Sequence, residues 1–375
     1  MNVHVLERVT RHSVYTQRFA GHLSNLFDPY LEQLRKEITV ILLSGPDKSQ
    51  NMRVINRLIA EYRNASSAIY GEYYSDVLLS ELEEFGVHEA DWEAAMLKKV
   101  TKPGTPIKAP ALAQVWAGVT SQPLVFPDGA GVKMLEPFIK DWHAGQIKKV
   151  SDTIRTGYIT GKTNQQIVRE IAGHNGMLDV TSRKSIKAMV RTSTNHVANV
   201  ARGRTLNENK TILDGYEIVS TLDGRTSNFC RGADGSKVYF KGLIIWGNGR
   251  KEETTRKPKP PFHPNCRTTF VPLIKKKFDI LGGVSTRASK GVNGGKQISG
   301  DNLYYDFLKT QGAQGPKGRA FVEDVLGKQR AGLFLDGGLS VTKFKQLTMD
   351  DLFQPLPLKE LRNKKSLETA FDLIE

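Results

Sequence analysis

Three observations predict an α+β fold for this chain of 375 residues. Helical periodicity runs through the first hundred residues, one long helical stretch lies near the middle, and three short β-like runs follow it directly. The expected architecture is a largely helical N-terminal region, a central long helix packed on a small antiparallel sheet, and a small C-terminal unit after a flexible linker. An apolar content of 39 % is enough to build two or three cores of this kind. There are no internal repeats.

Residues 1–100 form the helical region. Asp28 and Pro29 read as the N-cap and first helical position of a helix, after which Leu31, Leu34 and Ile38 recur at helical spacing until Gly45-Pro46 ends it. Tyr70, Tyr73, Tyr74 and Trp92 form an aromatic stripe that either fills this core or offers contact area to another protein. Residues 101–131 are rich in proline and glycine and read as a connection.

A central unit spans 132–278. Thr163, with Gln166 three residues later, is a capping box that opens TNQQIVREIAG. The preceding GYITGKT is not a phosphate loop, because three residues separate Gly157 from Gly161 where four are needed and no strand precedes them. The long helix, about Ser182 to Asn207, has an apolar stripe of Ile186, Met189, Val190, Val197, Val200 and Ala201. Its other face carries Arg183, Lys184, Lys187, Arg191, Arg202 and Arg204, the expected DNA-contact residues. GYEIVSTLD, KVYFKGLIIW and RTTFVPL are the strands of the sheet. Residues 279–300, dense in glycine, serine and lysine, read as a flexible linker, and 301–375 as the C-terminal unit.

A formal charge of +15 favours nucleic acid, an anionic membrane surface or an acidic protein as neighbour. Apolar runs fall short of the roughly 18 residues of a spanning helix, and the first residues lack an apolar signal core, so no membrane insertion or export is expected. Two cysteines, Cys230 and Cys266, are too few for a disulfide-stapled scaffold and fit synthesis in a reducing compartment.

The stretch PPFHPNCRTT places His263 three residues before Cys266. A tetrahedral zinc site would need partners, and DGRTSNFC supplies Cys230 and, as a carboxylate, Asp223. Against this metal set of Asp223, Cys230, His263 and Cys266 stands a purely structural arrangement. In it the two thiols are buried side by side and Asp223 pairs with Arg225 or Arg267 to pin the hairpin. A disulfide is a third arrangement, open only outside a reducing environment. A ββα metal nuclease would need further ligands on a helix after His263, yet His263 is the last histidine and a strand follows it. No catalytic residues are expected.

VRTSTNHVANVARGR, TLDGRTSNFCRGADG and PPFHPNCRTTFVPL together resemble the Mu F-like family of tailed-phage minor head proteins. The family pattern D-x-R-T-C-x-x-C-x-x-x-D-G with P-P-x-H-P-N-C-R-C is matched at Asp223, Arg225, Thr226, Cys230, Asp234 and Gly235, then at Pro260, Pro261, His263, Pro264, Asn265, Cys266 and Arg267. Ser227 and Thr268 stand where it has two further cysteines, which weakens a zinc site. The resemblance covers roughly Val132 to Lys277. It implies a head morphogenesis protein synthesised in the bacterial cytoplasm and placed inside the virion near the portal. There it would be present in multiple copies and assist head assembly and DNA packaging or ejection, with portal, other head proteins and phage DNA as partners. It implies no enzymatic activity and no certain cofactor, a structural zinc being the metal option. The competing reading from another class is a non-virion DNA-binding regulator, for which no helix-turn-helix, zinc finger or basic zipper is apparent.

Overall fold

The helical first half is built on the apolar periodicity of its sequence. The structure, a computed structural model, describes residues 3–127, 131–280 and 285–375. Residues 128–130 of the expected connection and 281–284 of the expected linker lie outside the described residues. Helix α1 (Val3–Asn25) is followed by α2 (Asp28–Ser44), whose N-cap is Phe27 in place of the expected Asp28, which is itself the first helical residue; α2 buries Leu31, Leu34 and Ile38 and stops at Gly45. Helix α3 (Met52–Glu72) continues through a π-helical turn, Tyr73–Leu78, into α4 (Leu79–Val100). Tyr70 and Tyr73 are buried, so these two fill the core instead of offering a docking surface. Next come α5 (Leu112–Ser121), a ribbon of β1 (Leu124–Phe126) and β2 (Gly131–Lys133), and α6 (Leu135–Ile159).

Helix α7 (Asn164–Ala172) begins with the expected capping box: Gln166 N donates to Thr163 Oγ1 at 3.2 Å and Thr163 N to Gln166 Oε1 at 2.8 Å. Helix α8 (Arg183–Glu208) is the central element, and α1, α4 and α5 all pack on it.

The strands after it form two sheets. An antiparallel sheet in the order β7-β6-β5-β3-β8 is built from β3 (Leu213–Val219), β5 (Lys237–Tyr239), β6 (Leu243–Ile245), β7 (Lys251–Glu253) and β8 (Thr269–Ile274). Strand β4 (Leu222–Asp223) and the six-residue helix α9 (Asn228–Ala233) lie between β3 and β5 in the chain. The core of this sheet takes Val5, Leu6 and Val9 from α1 and Leu97 and Val100 from α4, so the N-terminal helices share a core with the sheet.

The stretch read as a flexible linker differs. Residues 286–299 form an antiparallel hairpin of β9 (Thr286–Gly291) and β10 (Gly294–Ser299), and β9 pairs in parallel with β4. Arg287, 3 % exposed at the side chain, explains the order: it is held by Asp234 at 3.0 Å and donates to Ser220 O at 2.6 Å. The C-terminal unit follows as α10 (Tyr304–Gly312), α11 (Gly315–Leu326), α12 (Lys328–Leu335), α13 (Val341–Thr348), α14 (Leu358–Arg362) and α15 (Glu368–Asp372), around its own apolar cluster. It docks on the central unit, with Tyr304 OH donating to Asp223 O at 2.8 Å and Arg231 Nη1 to Val325 O at 2.8 Å.

Candidate functional site

Cys230 is presented by α9, whose N-terminus is capped by Ser227 through Cys230 N at 3.4 Å. The partner loop runs from Pro260 to Thr268 across α8 and is tied down by that helix. Asn265, at φ 65 in the left-handed region that asparagine tolerates, donates its N–H to Thr192 Oγ1 at 2.7 Å. Asn195 Nδ2 donates to both Cys266 O and Thr268 O at 3.2 Å. These contacts turn Cys266 inward, where it is fully buried.

Three of the four expected metal-set residues meet. Cys230 Sγ lies 3.8 Å from Cys266 Sγ and 3.3 Å from His263 Nε2. The other ring nitrogen, His263 Nδ1, faces Pro264 O at 2.9 Å. A carbonyl only accepts, so Nδ1 carries the proton and the Nε2 lone pair points at the sulfurs, the orientation in which a histidine binds metal. Bonds of about 2.3 Å to sulfur and about 2.0–2.1 Å to nitrogen would space two sulfurs roughly 3.8 Å and a sulfur and nitrogen roughly 3.6 Å apart around tetrahedral zinc. The observed spacings fit such a set of three donors.

Burial opposes ionisation of both thiols. At Cys266 it is outweighed by the hydrogen bond from Cys230 and the proximity of His263, and this thiol is held well below its usual value. At Cys230 burial and the adjacent Cys266 push it well above. Ser227 and Thr268, where the resembling family has cysteines, both hydrogen-bond Cys230. The two substituted positions therefore sit in the same cluster as the two retained thiols.

Asp223 is the exception to the expected metal set. Arg267 grips it with Nη1–Oδ2 at 2.5 Å and Nη2–Oδ1 at 2.8 Å, while Arg225 N and Thr226 Oγ1 donate to Oδ1 at 3.0 and 3.1 Å. Burial alone would raise its pKa, but the Arg267 guanidinium holds it below the ordinary carboxylate value. Its lone pairs are used, and the donors that converge are Cys230, His263 and Cys266 without it. Asp223 instead pins the hairpin to the loop, as the structural arrangement requires.

The cluster borders a cleft of about 490 Å³ whose lining includes Arg191, Arg225, Arg267, His263, Ser227 and Thr268. Burial first, then the charges of Arg267 and Arg225, lowers the pKa of Arg191.

The expected DNA-contact face of α8 is not one surface. Arg202 is 3 % exposed at the side chain and ion-paired with Glu93 at 2.8 Å, so it cannot reach a phosphate. Arg183 is paired with Asp28 and Asp179, and Arg191 donates to Asn265 Oδ1. Arg204 is half-buried, whereas Lys184 and Lys187 are exposed. The reason is that Thr192 to Gly203 is buried on every side, between the N-terminal helices and the sheet. Sequence reasoning also missed Asn195 and Thr192 as anchors of the loop. Their signal was the run of short polar residues TSTN in a helix, which suits hydrogen bonding to a neighbouring backbone better than solvent exposure.

No curated protein and no solved structure matches the chain. A family model, phage Mu protein F like protein, matches residues 148–271, from within α6 to β8. That span contains α8 and the Cys230, His263, Cys266 cluster. Over residues 148–271, about a third of its length, the chain is similar to the phage Mu protein F like family, and this similarity supports, at a coarse level, a phage head morphogenesis protein.

Proposed function

We propose that the chain is a minor head protein inside the capsid near the portal, present in several copies, that assists head assembly and DNA packaging or ejection without catalysing a reaction. The observation that carries this reading is the closure of the His263–Cys266 loop on the Cys230 hairpin within the family-matched span. The cluster acts as a lock between two segments of one domain. Its three donors, Cys230, His263 and Cys266, are one short of a closed tetrahedral zinc site; a zinc held by them would take its fourth ligand from the bordering cleft, and it would neutralise the buried thiolate and fix both segments. Both ring nitrogens of His263 are engaged, and β8 rather than a ligand-bearing helix follows, which favours a lock over a nuclease.

Non-specific DNA contact is supported by the charge of +15 and the exposed Lys184 and Lys187. The test is quantitative mass spectrometry of purified particles from the encoding phage. The chain is expected at several copies per particle, retained after the outer surface is treated with protease; its absence from finished particles would overturn the reading.

A further inference from the structure

A second cleft, of about 660 Å³, opens between the β1–β2 ribbon, the C-terminal end of α8 and the RKPKPP stretch that leads into the loop. Its wall is apolar, with Leu206, Phe240, Ile244 and Trp246. Its rim carries aliphatic groups left in solvent, Val132 at 61 % exposure and Leu352 at 48 %.

Cations gather on one side. Lys210, Arg256, Lys257 and Lys259 line the cleft, and Arg204 adjoins Lys259. Tyr216 OH donates to Pro258 O at 2.8 Å and so fixes the stretch between the two lysines. Residues two apart in an extended, proline-stiffened chain share a side, so Lys257 and Lys259 act together. The backbone of α8 admits Lys259 at Gly203, where a Cβ would come within 2.8 Å of the ammonium nitrogen. None of these five side chains is ion-paired with a carboxylate among the described residues. The carboxylate that does line the cleft, Glu252, is held by Trp246 Nε1 at 2.8 Å and Arg250 Nη1 at 3.0 Å. Burial, then Arg204, Lys257 and Lys210, push Lys259 down to about 8. Like charges crowded beside an apolar wall are relieved by an anion that brings apolar surface with it.

We propose that this cleft binds an acidic peptide segment of another protein, its carboxylates on Lys257, Lys259 and Lys210 and an aliphatic side chain against Val132 and Leu206. Nucleic acid fits less well, because base stacking needs open aromatic faces. Tyr216, Phe229, Phe262 and Trp246 are buried, and the ring of Phe240 already carries Lys210 and Lys257 at 5.8 and 5.6 Å. Taking the partner to be a head protein rests on the function proposed above; the binding chemistry does not.

The test is fluorescence anisotropy of the full chain with a labelled peptide of aspartates and glutamates around two leucines. A peptide with lysines in place of the acids and a single-stranded oligonucleotide serve as comparisons. Saturable binding of the acidic peptide alone is expected. It should weaken about tenfold or more in Lys257→Gln/Lys259→Gln and also in Val132→Asp, an exposed substitution that spares the fold. Absence of saturable binding would overturn the proposal. So would an oligonucleotide that binds in competition with the peptide and is weakened by the lysine substitutions but not by Val132→Asp, which would make the cleft a phosphate contact. Both outcomes are read on purified protein and leave particle incorporation as a separate result.

Discussion

Arg202 Nε lies 2.8 Å from Glu93 Oε2, with both side chains buried between α4, α8 and β8. The same guanidinium approaches Glu89 Oε2 at 3.8 Å, and Glu89 Oε1 meets His12 Nε2 at 2.6 Å. Three segments that the sequence places far apart are thereby joined by one charged network. Arg202→Leu leaves two acids buried without their cation and is expected to cost about 3–5 kcal/mol of stability in denaturant unfolding. Adding Glu93→Leu should recover part of that loss, a coupling that a double-mutant cycle measures.

His196 is buried in α8 with Nε2 donating to Val119 O at 3.2 Å, and burial holds its pKa down to about 4. In the unfolded chain it titrates near 6.5. Between these values the unfolded state binds more protons, so stability is full above 6.5 and is lost as pH falls toward 4. At about 1.36 kcal/mol per unit, the loss amounts to about 3 kcal/mol. His196→Gln keeps a donor to Val119 and should flatten that part of the stability profile, read by urea unfolding at a series of pH values.

Arg287 and Asp234 bind the β9–β10 hairpin to the end of α9, and Asp234 also accepts from Ser220 N at 2.7 Å and Tyr304 N at 2.8 Å. Residues 285–300 should therefore resist limited proteolysis in the native protein. Arg287→Ala strands a buried carboxylate, with an expected cost of about 3–5 kcal/mol and early cleavage in this segment. Rapid cleavage of the unmodified chain there would contradict the hairpin.

What the sequence made legible follows from how local each signal is. The helix at Asp28-Pro29, the capping box at Thr163 and the His263–Cys266 pair rest on short spacings, and each reappears in the structure, where Cys230, more than thirty residues earlier in the chain, joins the pair. The β9–β10 hairpin reads as a linker in the sequence because its composition is glycine-rich. Its turn signal, Asn293-Gly294, and its alternation of buried Arg287 and Ser289 with exposed Ala288 and Lys290 were present but outweighed. The basic face of α8 failed for a different reason. Periodicity identifies an apolar stripe but not how many neighbours surround a helix, and the acids that neutralise Arg202 come from α4, more than a hundred residues earlier.

Asp223 separates pinning from ligation. Asp223→Asn weakens the two charge-assisted bonds from Arg267 and is expected to cost about 1.5–3 kcal/mol. Metal content should be unchanged, since Asp223 does not face the sulfurs. A parallel loss of metal in this variant would return it to the ligand set.

The lock itself is tested most directly by zinc content and zinc X-ray absorption on the full chain purified under reducing conditions. One zinc per chain, with two sulfur neighbours at about 2.3 Å and one imidazole nitrogen, is the predicted result, lost in Cys230→Ser and His263→Ala. Reduced protein without stoichiometric metal, whose stability is also unmoved by those two substitutions, would contradict it.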